Sequence, residues 1–171
     1  VCIVEGYFDQ WALHRHGLPA VAVMGTALTE EHLKMLERFT KKVVLILDAD
    51  KAGTNSTKKS LPVLIQKGFD VRVCSAFSGK DPDEWLKAYD GSVEDLKRKI
   101  LSSPEALEWW VQEAFKTSKA QQDNRLQTLR AFREIWDLAL DSAHKNILAD
   151  QISRLMGLSR DEVKESLAGA A

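Results

Sequence analysis

Apolar and polar positions alternate in blocks along residues 1 to about 90. Short oily runs, VCIV, AVAVMG, VVLIL and VRVCSAF, each lead into a stretch of helical period: YFDQWALHRH, TEEHLKMLERF, AGTNSTKKSLPVLIQK and DPDEWLKAY. That rhythm predicts successive β-α-β units and a mostly parallel sheet, and the unbroken V/I/L character of the runs predicts strands covered by helices on both faces. The punctuation fits. Thr29 is a good N-cap with Glu30 and Glu31 in the first turn behind it, and Gly68 stands where the third helix should stop. Pro62 lies inside that third helical stretch, where it removes a hydrogen bond and crowds the preceding turn, so a kinked or late-starting helix is expected.

From Ser92 onward the pattern is helical alone, with segments expected at 92–100, 104–117, 120–141, 144–156 and 159–168. Ser92-x-x-Asp95 and Ser159-x-x-Glu162 have the spacing of N-terminal caps, and Gly157 marks a C-terminal stop. The expected organisation is an α/β domain over 1–101 and a small all-α bundle over 102–171, with the boundary near Ser102-Ser103-Pro104. Trp109, Trp110 and Trp136 are expected in the core of the helical part.

The chain has 171 residues, 44% of them hydrophobic, enough for one respectable core and a smaller second lobe. Its 24 basic side chains against 25 acidic ones leave a net charge of -1, and residues 104–171 carry 9 basic and 11 acidic groups. Neither the whole nor the helical part offers a field that would hold a polyanion, so any nucleic-acid contact is expected to be local or supplied by other sequence. Cys2 and Cys74 are far apart with no CxxC pair, which excludes a zinc ribbon and argues for a reducing compartment. No apolar run approaches the ~20 residues of a membrane span. The chain opens on a buried-type strand with no Met before it, and it reads as a piece of a longer, soluble, intracellular protein.

Carboxylates gather where the predicted strands end. Glu5 follows VCIV, Asp48 follows VVLIL, and Asp81 and Asp83 lie just beyond VRVCSAF. In an open parallel sheet that edge is where ligands bind. Asp48 and Asp50 are two residues apart, which in extended chain points both side chains the same way, ~6.6 Å apart. Oxygen ligands with no His or Cys beside them suit Mg²⁺ or Mn²⁺, ions that clamp phosphoryl oxygens. Asp9 lies one helical turn beyond Glu5 and is a further candidate. Any one of these acids also fits a plain helix cap or solvated turn, Asp83 after Pro82 above all; it is their convergence that points to a metal. Gly6, Gly25, Gly53 and Gly79 fall at the same strand exits, with Lys51 and Lys80 beside the acids. His14, His16, His32 and His144 form no metal-ligand pattern and read as surface or capping residues.

Read in order, EGYFD at 5–9, GTALTEEH at 25–32, LDADKAG at 47–53 and GKDPDEW at 79–85 closely resemble the Toprim domain of bacterial DnaG-type DNA primases. The helical stretch at 104–171 resembles the small subdomain that follows Toprim in those enzymes. The implied fold is a Rossmann-like, mostly parallel Toprim sheet flanked by helices and followed by an all-α bundle. The resemblance implies that Glu5, Asp48 and Asp50 are the catalytic, metal-binding acids, with Asp9, Asp81 and Asp83 completing a cluster for two or more Mg²⁺ or Mn²⁺ ions. Gly6, Gly25, Thr26, Lys51, Gly53 and Lys80 would lie near nucleotide phosphates. It further implies a nucleotidyltransferase of the bacterial cytoplasm, working at the replisome. Such enzymes join ribonucleoside triphosphates into RNA primers on single-stranded DNA, and meet the replicative helicase through a domain absent here. The family's zinc-binding and basic subdomains are absent too, so this piece alone is expected to bind metal without priming.

Two departures stand out: Ala49 where the family's common form has Gly, and Pro62. Neither touches a proposed ligand. Three rival readings share parts of the pattern. A Toprim nuclease of the overcoming-lysogenisation type would use the same acids but does not account for GTALT. A haloacid-dehalogenase-like phosphatase shares strand-D-x-D but wants Thr or Val where Ala52 stands. A non-catalytic module would hold an ion for structure only.

Overall fold

The computed structural model describes residues 1–24, 28–46, 51–75, 82–88, 93–120, 132–133 and 135–168, without the side chains of 51, 52, 82, 86, 88 and 117–120. By compactness it divides into two units, Val1–Glu105 and Ala106–Ala171.

The first unit is built on four strands: β1 (Cys2–Val4), β2 (Ala20–Ala22), β3 (Lys42–Ile46) and β4 (Asp70–Val73). They lie in the order β2-β1-β3-β4, every pairing parallel. Register sets Val4 opposite both Ala22 and Ile46, and Leu45 opposite Val73. Ile3, Val4, Leu45 and Ile46 are almost wholly buried, as expected of central parallel strands with both faces covered. Between them run α1 (Tyr7–Arg15), α2 (Glu30–Glu37) and α3 (Lys51–Gln66), and α4 (Pro82–Ala88) and α5 (Val93–Leu101) follow.

Local chemistry explains the helix ends. Thr29 Oγ1 accepts the His32 N–H at 3.4 Å while His32 Nδ1 accepts the Thr29 N–H at 3.2 Å, a capping box with a histidine in the usual Glu place. Gly68, at φ 72°, ends α3 in the left-handed conformation, with the Phe69 N–H reaching back to Leu64 O. His14 also serves structure: its Nε2 accepts the Ala20 N–H at 3.2 Å and ties α1 to β2. The late start expected from Pro62 does not occur: α3 starts at Lys51 and continues through the proline to Gln66. Leu61 and Leu64 on either side of the proline are fully buried, and that packing outweighs the missing backbone donor.

The stretch 102–105 lies along β4. The Val73 N–H donates to Pro104 O at 3.0 Å, Arg72 and Glu105 form an antiparallel bridge, and the Arg72 guanidinium donates to Ser103 O at 2.8 Å. Ser103 is buried, its hydroxyl turned back to Lys99 O at 3.0 Å.

The second unit contains α6 (Ala106–Ala120), a helical stretch at 132–133 and 135–138, α7 (Ser142–Met156) and α8 (Arg160–Ala168). Trp109, Trp110 and Trp136 are all buried, as are Phe132, Ile135, Leu148 and Ile152. Two boundaries differ from the sequence expectation. The helix expected to reach 141 stops at 138, and the one expected to start at 144 starts at Ser142. The reason is Asp141, whose carboxylate accepts the His144 N–H at 2.9 Å and makes it the N-cap of α7. Gly157 (φ 65°) closes α7, and Ser159 and Glu162 form the expected capping box at the start of α8. Ser92 lies outside the described residues.

Candidate metal centre

The sheet order places a topological switch between its two central strands. From β1 the chain goes to β2 on one side, then crosses to β3 on the other, so the carboxyl ends of β1 and β3 are adjacent and their onward connections diverge. This is the position at which open α/β sheets leave a crevice for ligands. Val4 and Ile46 are paired, so Glu5 and Leu47 are the next residues out of two neighbouring strands.

Glu5 is half-buried, and its backbone carbonyl accepts the Met24 N–H at 3.0 Å, so the turn leaving β2 is pinned against the exit of β1. Met24 has φ 54°, an uncommon backbone state for a residue with a side chain, and it stands immediately before Gly25. Such backbone strain tends to collect at functional edges.

Asp9, in the first turn of α1, is only 6% exposed. Its Oδ1 accepts the backbone N–H of Asp83, at the start of α4, at 3.2 Å. The side chain of Asp83 turns along α4 and pairs through Oδ2 with Lys87 Nζ at 2.5 Å. Gly6 has an ordinary extended backbone (φ -110°), so its requirement is for space: a Cβ there would stand 3.1 Å from Asp9 Oδ2. Gly53 is buried in the first turn of α3, its carbonyl accepting the Thr57 hydroxyl at 2.9 Å. Lys51 is the first residue of α3.

Of the residues expected at the site, Gly25, Thr26, Asp48, Asp50, Lys80 and Asp81 lie outside the described residues, as does Gly79. Among the described residues no three His, Cys, Asp or Glu side chains come together in a way that could hold a metal ion. What the structure does bring together is the EGYFD and KDPDE motifs, joined by Asp9 and Asp83 across 74 positions. Sequence spacing alone does not reveal that bond; the only hint is that both acids sit at helix starts. The described donors at this edge are carboxylates, hard ligands of the Mg²⁺ or Mn²⁺ type. Cys2 is no competitor, since burial pushes its thiol up to about 11 and keeps it protonated.

A Toprim-like family model matches residues 2–86, the part that holds this sheet and its carboxyl edge. The class defined by fold and edge is therefore Toprim. The similarity continues past that domain. A DNA primase of Aquifex aeolicus is 35% identical over 150 residues, covering 87% of this chain and 28% of the relative. One from Clostridium acetobutylicum is 29% identical over 170 residues, 98% of this chain and 28% of the relative. The crystal structure of the Aquifex aeolicus primase zinc-binding and RNA polymerase domains superposes with a TM-score of 0.72 at 31% identity, covering 99% of this chain and 40% of that one. The chain belongs to the bacterial DnaG-type DNA primases, as a piece comprising Toprim and the helical part after it. It spans under a third of the length of these curated relatives. Toprim domains and primases in general use divalent metal ions. No helix among the described residues is long and apolar enough to cross a membrane.

Proposed function

We propose that this chain is the metal-holding part of an enzyme that synthesises short RNA primers on single-stranded DNA by nucleotidyl transfer. The observation that carries the proposal is the register of β1 with β3, which sets the exit of one strand, Glu5, beside the exit of the other, from which LDAD continues. Glu5, Asp48 and Asp50 would hold two or more Mg²⁺ or Mn²⁺ ions, with Asp81 and Asp83 at the rim. When bound, such ions neutralise the triphosphate and the charge that builds at the transferring phosphorus.

The protein's own contribution is placement. The oily strands β1 and β3 are each paired on both sides and buried, so Glu5 leaves a strand that is itself firmly placed. Lys51 and Lys80, with the backbone at Gly6, Gly25, Thr26 and Gly53, would receive the nucleotide phosphates. No side chain acts as a nucleophile, because the attacking group belongs to the substrate.

The broad basic surface for the polyanion is assigned to the longer protein, since the charge balance of -1 here provides no such field; helicase contact is assigned there too, on the resemblance alone. The chain alone then binds metal and weakly nucleotide without priming, in the bacterial cytoplasm where replication takes place. A calorimetric Mn²⁺ titration of the chain beside Asp48→Asn tests the assignment. Binding that the substitution removes supports it. Equal binding in both places the ions elsewhere and overturns it.

A further inference from the structure

Asp9 belongs to the acidic set by sequence, yet its surroundings differ from those of a ligand waiting for a cation. It is 6% exposed, one carboxylate oxygen accepts the Asp83 N–H at 3.2 Å, and the other lies where a Cβ on Gly6 would come within 3.1 Å. The acceptor is on α1, just beyond the strand that Glu5 follows; the donor lies in the first turn of α4 and belongs to the KDPDE motif. A buried carboxylate is costly unless hydrogen-bonded, and a bond to a charged acceptor is the stronger kind, so the pair couples the two motifs more firmly than a neutral contact would.

We propose that Asp9 is a positioning residue: by accepting the Asp83 N–H it holds the start of α4 against the exit of β1 and so fixes Asp83 relative to Glu5. This rests on the metal-holding reading above, and it takes Asp9 out of the ligand set implied by the resemblance. Gly6 completes the device, because any side chain there would press on the carboxylate that makes the tie.

The proposal is tested on the 171-residue chain with Asp9→Ala, Asp9→Asn and Gly6→Ala, reading backbone amide exchange at Asp83 and Mn²⁺ affinity by calorimetry. The asparagine keeps an oxygen that can accept the Asp83 N–H while removing the charge that a ligand needs. Asp9→Ala is expected to speed Asp83 exchange and weaken Mn²⁺ binding roughly tenfold or more, the loss typical when a partner that orients metal ligands is removed. Asp9→Asn, whose neutral oxygen is the weaker acceptor, is expected to restore most of both, and Gly6→Ala, which the backbone tolerates, to lie between Asp9→Ala and the unsubstituted chain.

Two results overturn the idea: Asp9→Asn as deficient in Mn²⁺ as Asp9→Ala, which would make Asp9 a ligand, or unchanged Asp83 exchange and Mn²⁺ affinity in Asp9→Ala, which would leave it a core filler. Should Asp9→Ala fail to fold, Gly6→Ala and Asp9→Asn still decide, since faster Asp83 exchange in the first and protection in the second are required. Should the unsubstituted chain bind no Mn²⁺, the metal reading fails, and the exchange data alone decide the tie.

Discussion

Two helices in this molecule begin against an aspartate, and they do so in opposite ways. In the second unit, α7 is capped by Asp141, one residue before it and exposed, which takes the His144 N–H at 2.9 Å. In the first unit, α4 is met by Asp9, 74 residues before its donor and buried, which takes the Asp83 N–H at 3.2 Å. The first bond closes a helix end and involves only neighbours. The second joins two parts of the proposed site, and it exists only once the sheet has formed and brought α1 beside α4. Stability in the helical unit is thus assembled from short-range caps and apolar packing, whereas the sheet edge depends on contacts between residues far apart in the chain.

The largest expected effect tests the acid edge itself. In the full-length enzyme, Asp48→Asn should abolish primer synthesis, while far-ultraviolet circular dichroism and thermal melting stay close to those of the parent, because removing one of two adjacent charges relieves repulsion in the metal-free state. Measurable synthesis by that variant would remove Asp48 from the site.

Next come the two cores. Leu45→Ala in β3 and Ile152→Ala in α7 each delete a fully buried side chain and should cost about 3 kcal/mol in urea unfolding. Only Leu45→Ala should also weaken Mn²⁺ binding, since the strand it loosens leads to LDAD. Loss of Mn²⁺ binding in Ile152→Ala would show that the helical core also supports the metal-holding edge.

A smaller effect is expected at the far edge of the sheet. Arg72→Ala removes the guanidinium that donates to Ser103 O and, at 3.5 Å, to Leu101 O. The cost should be about 1 kcal/mol, with faster proteolysis between 101 and 105 as the specific sign. Unchanged proteolysis would mean that the Val73 to Pro104 backbone bond holds the stretch without help.

The smallest effect is the local cap. The His144 N–H bonded to Asp141, reinforced by the His144 ring, lowers the pKa of this carboxyl below its ordinary value. A lowered folded pKa means that the stabilisation is complete above the ordinary carboxylate range and lost as the pH falls through the folded value. Asp141→Ala should therefore melt below the parent at neutral pH, and the gap should narrow in acid. A gap that is independent of pH would assign the effect to helix propensity instead of the carboxylate.

Much of the fold was legible because it rests on neighbours. Oily runs alternating with helical periods announce parallel β-α-β units, and the parallel four-stranded sheet bears this out. Thr29, Gly68, Gly157 and Ser159 act at helix ends as read, since a cap needs only the next three or four residues. Asp141 carries a cap signal in the sequence, an aspartate whose carboxylate can reach the N–H three residues on, but the helical period over 120–141 masks it. The late start that Pro62 suggested is absent, because the burial of Leu61 and Leu64 is a property of the packed sheet.

By itself, then, the amino-acid sequence determined the element types, most of their caps, the acidic motifs and the family to which they point. These follow from period, local hydrogen bonding and residue chemistry. The tertiary structure decided the order β2-β1-β3-β4, the pairing of 102–105 along β4 and the bond from Asp9 to Asp83. Those contacts join residues from 18 to 74 positions apart, a separation over which chain connectivity imposes no preferred partner and only the burial of a common core selects one.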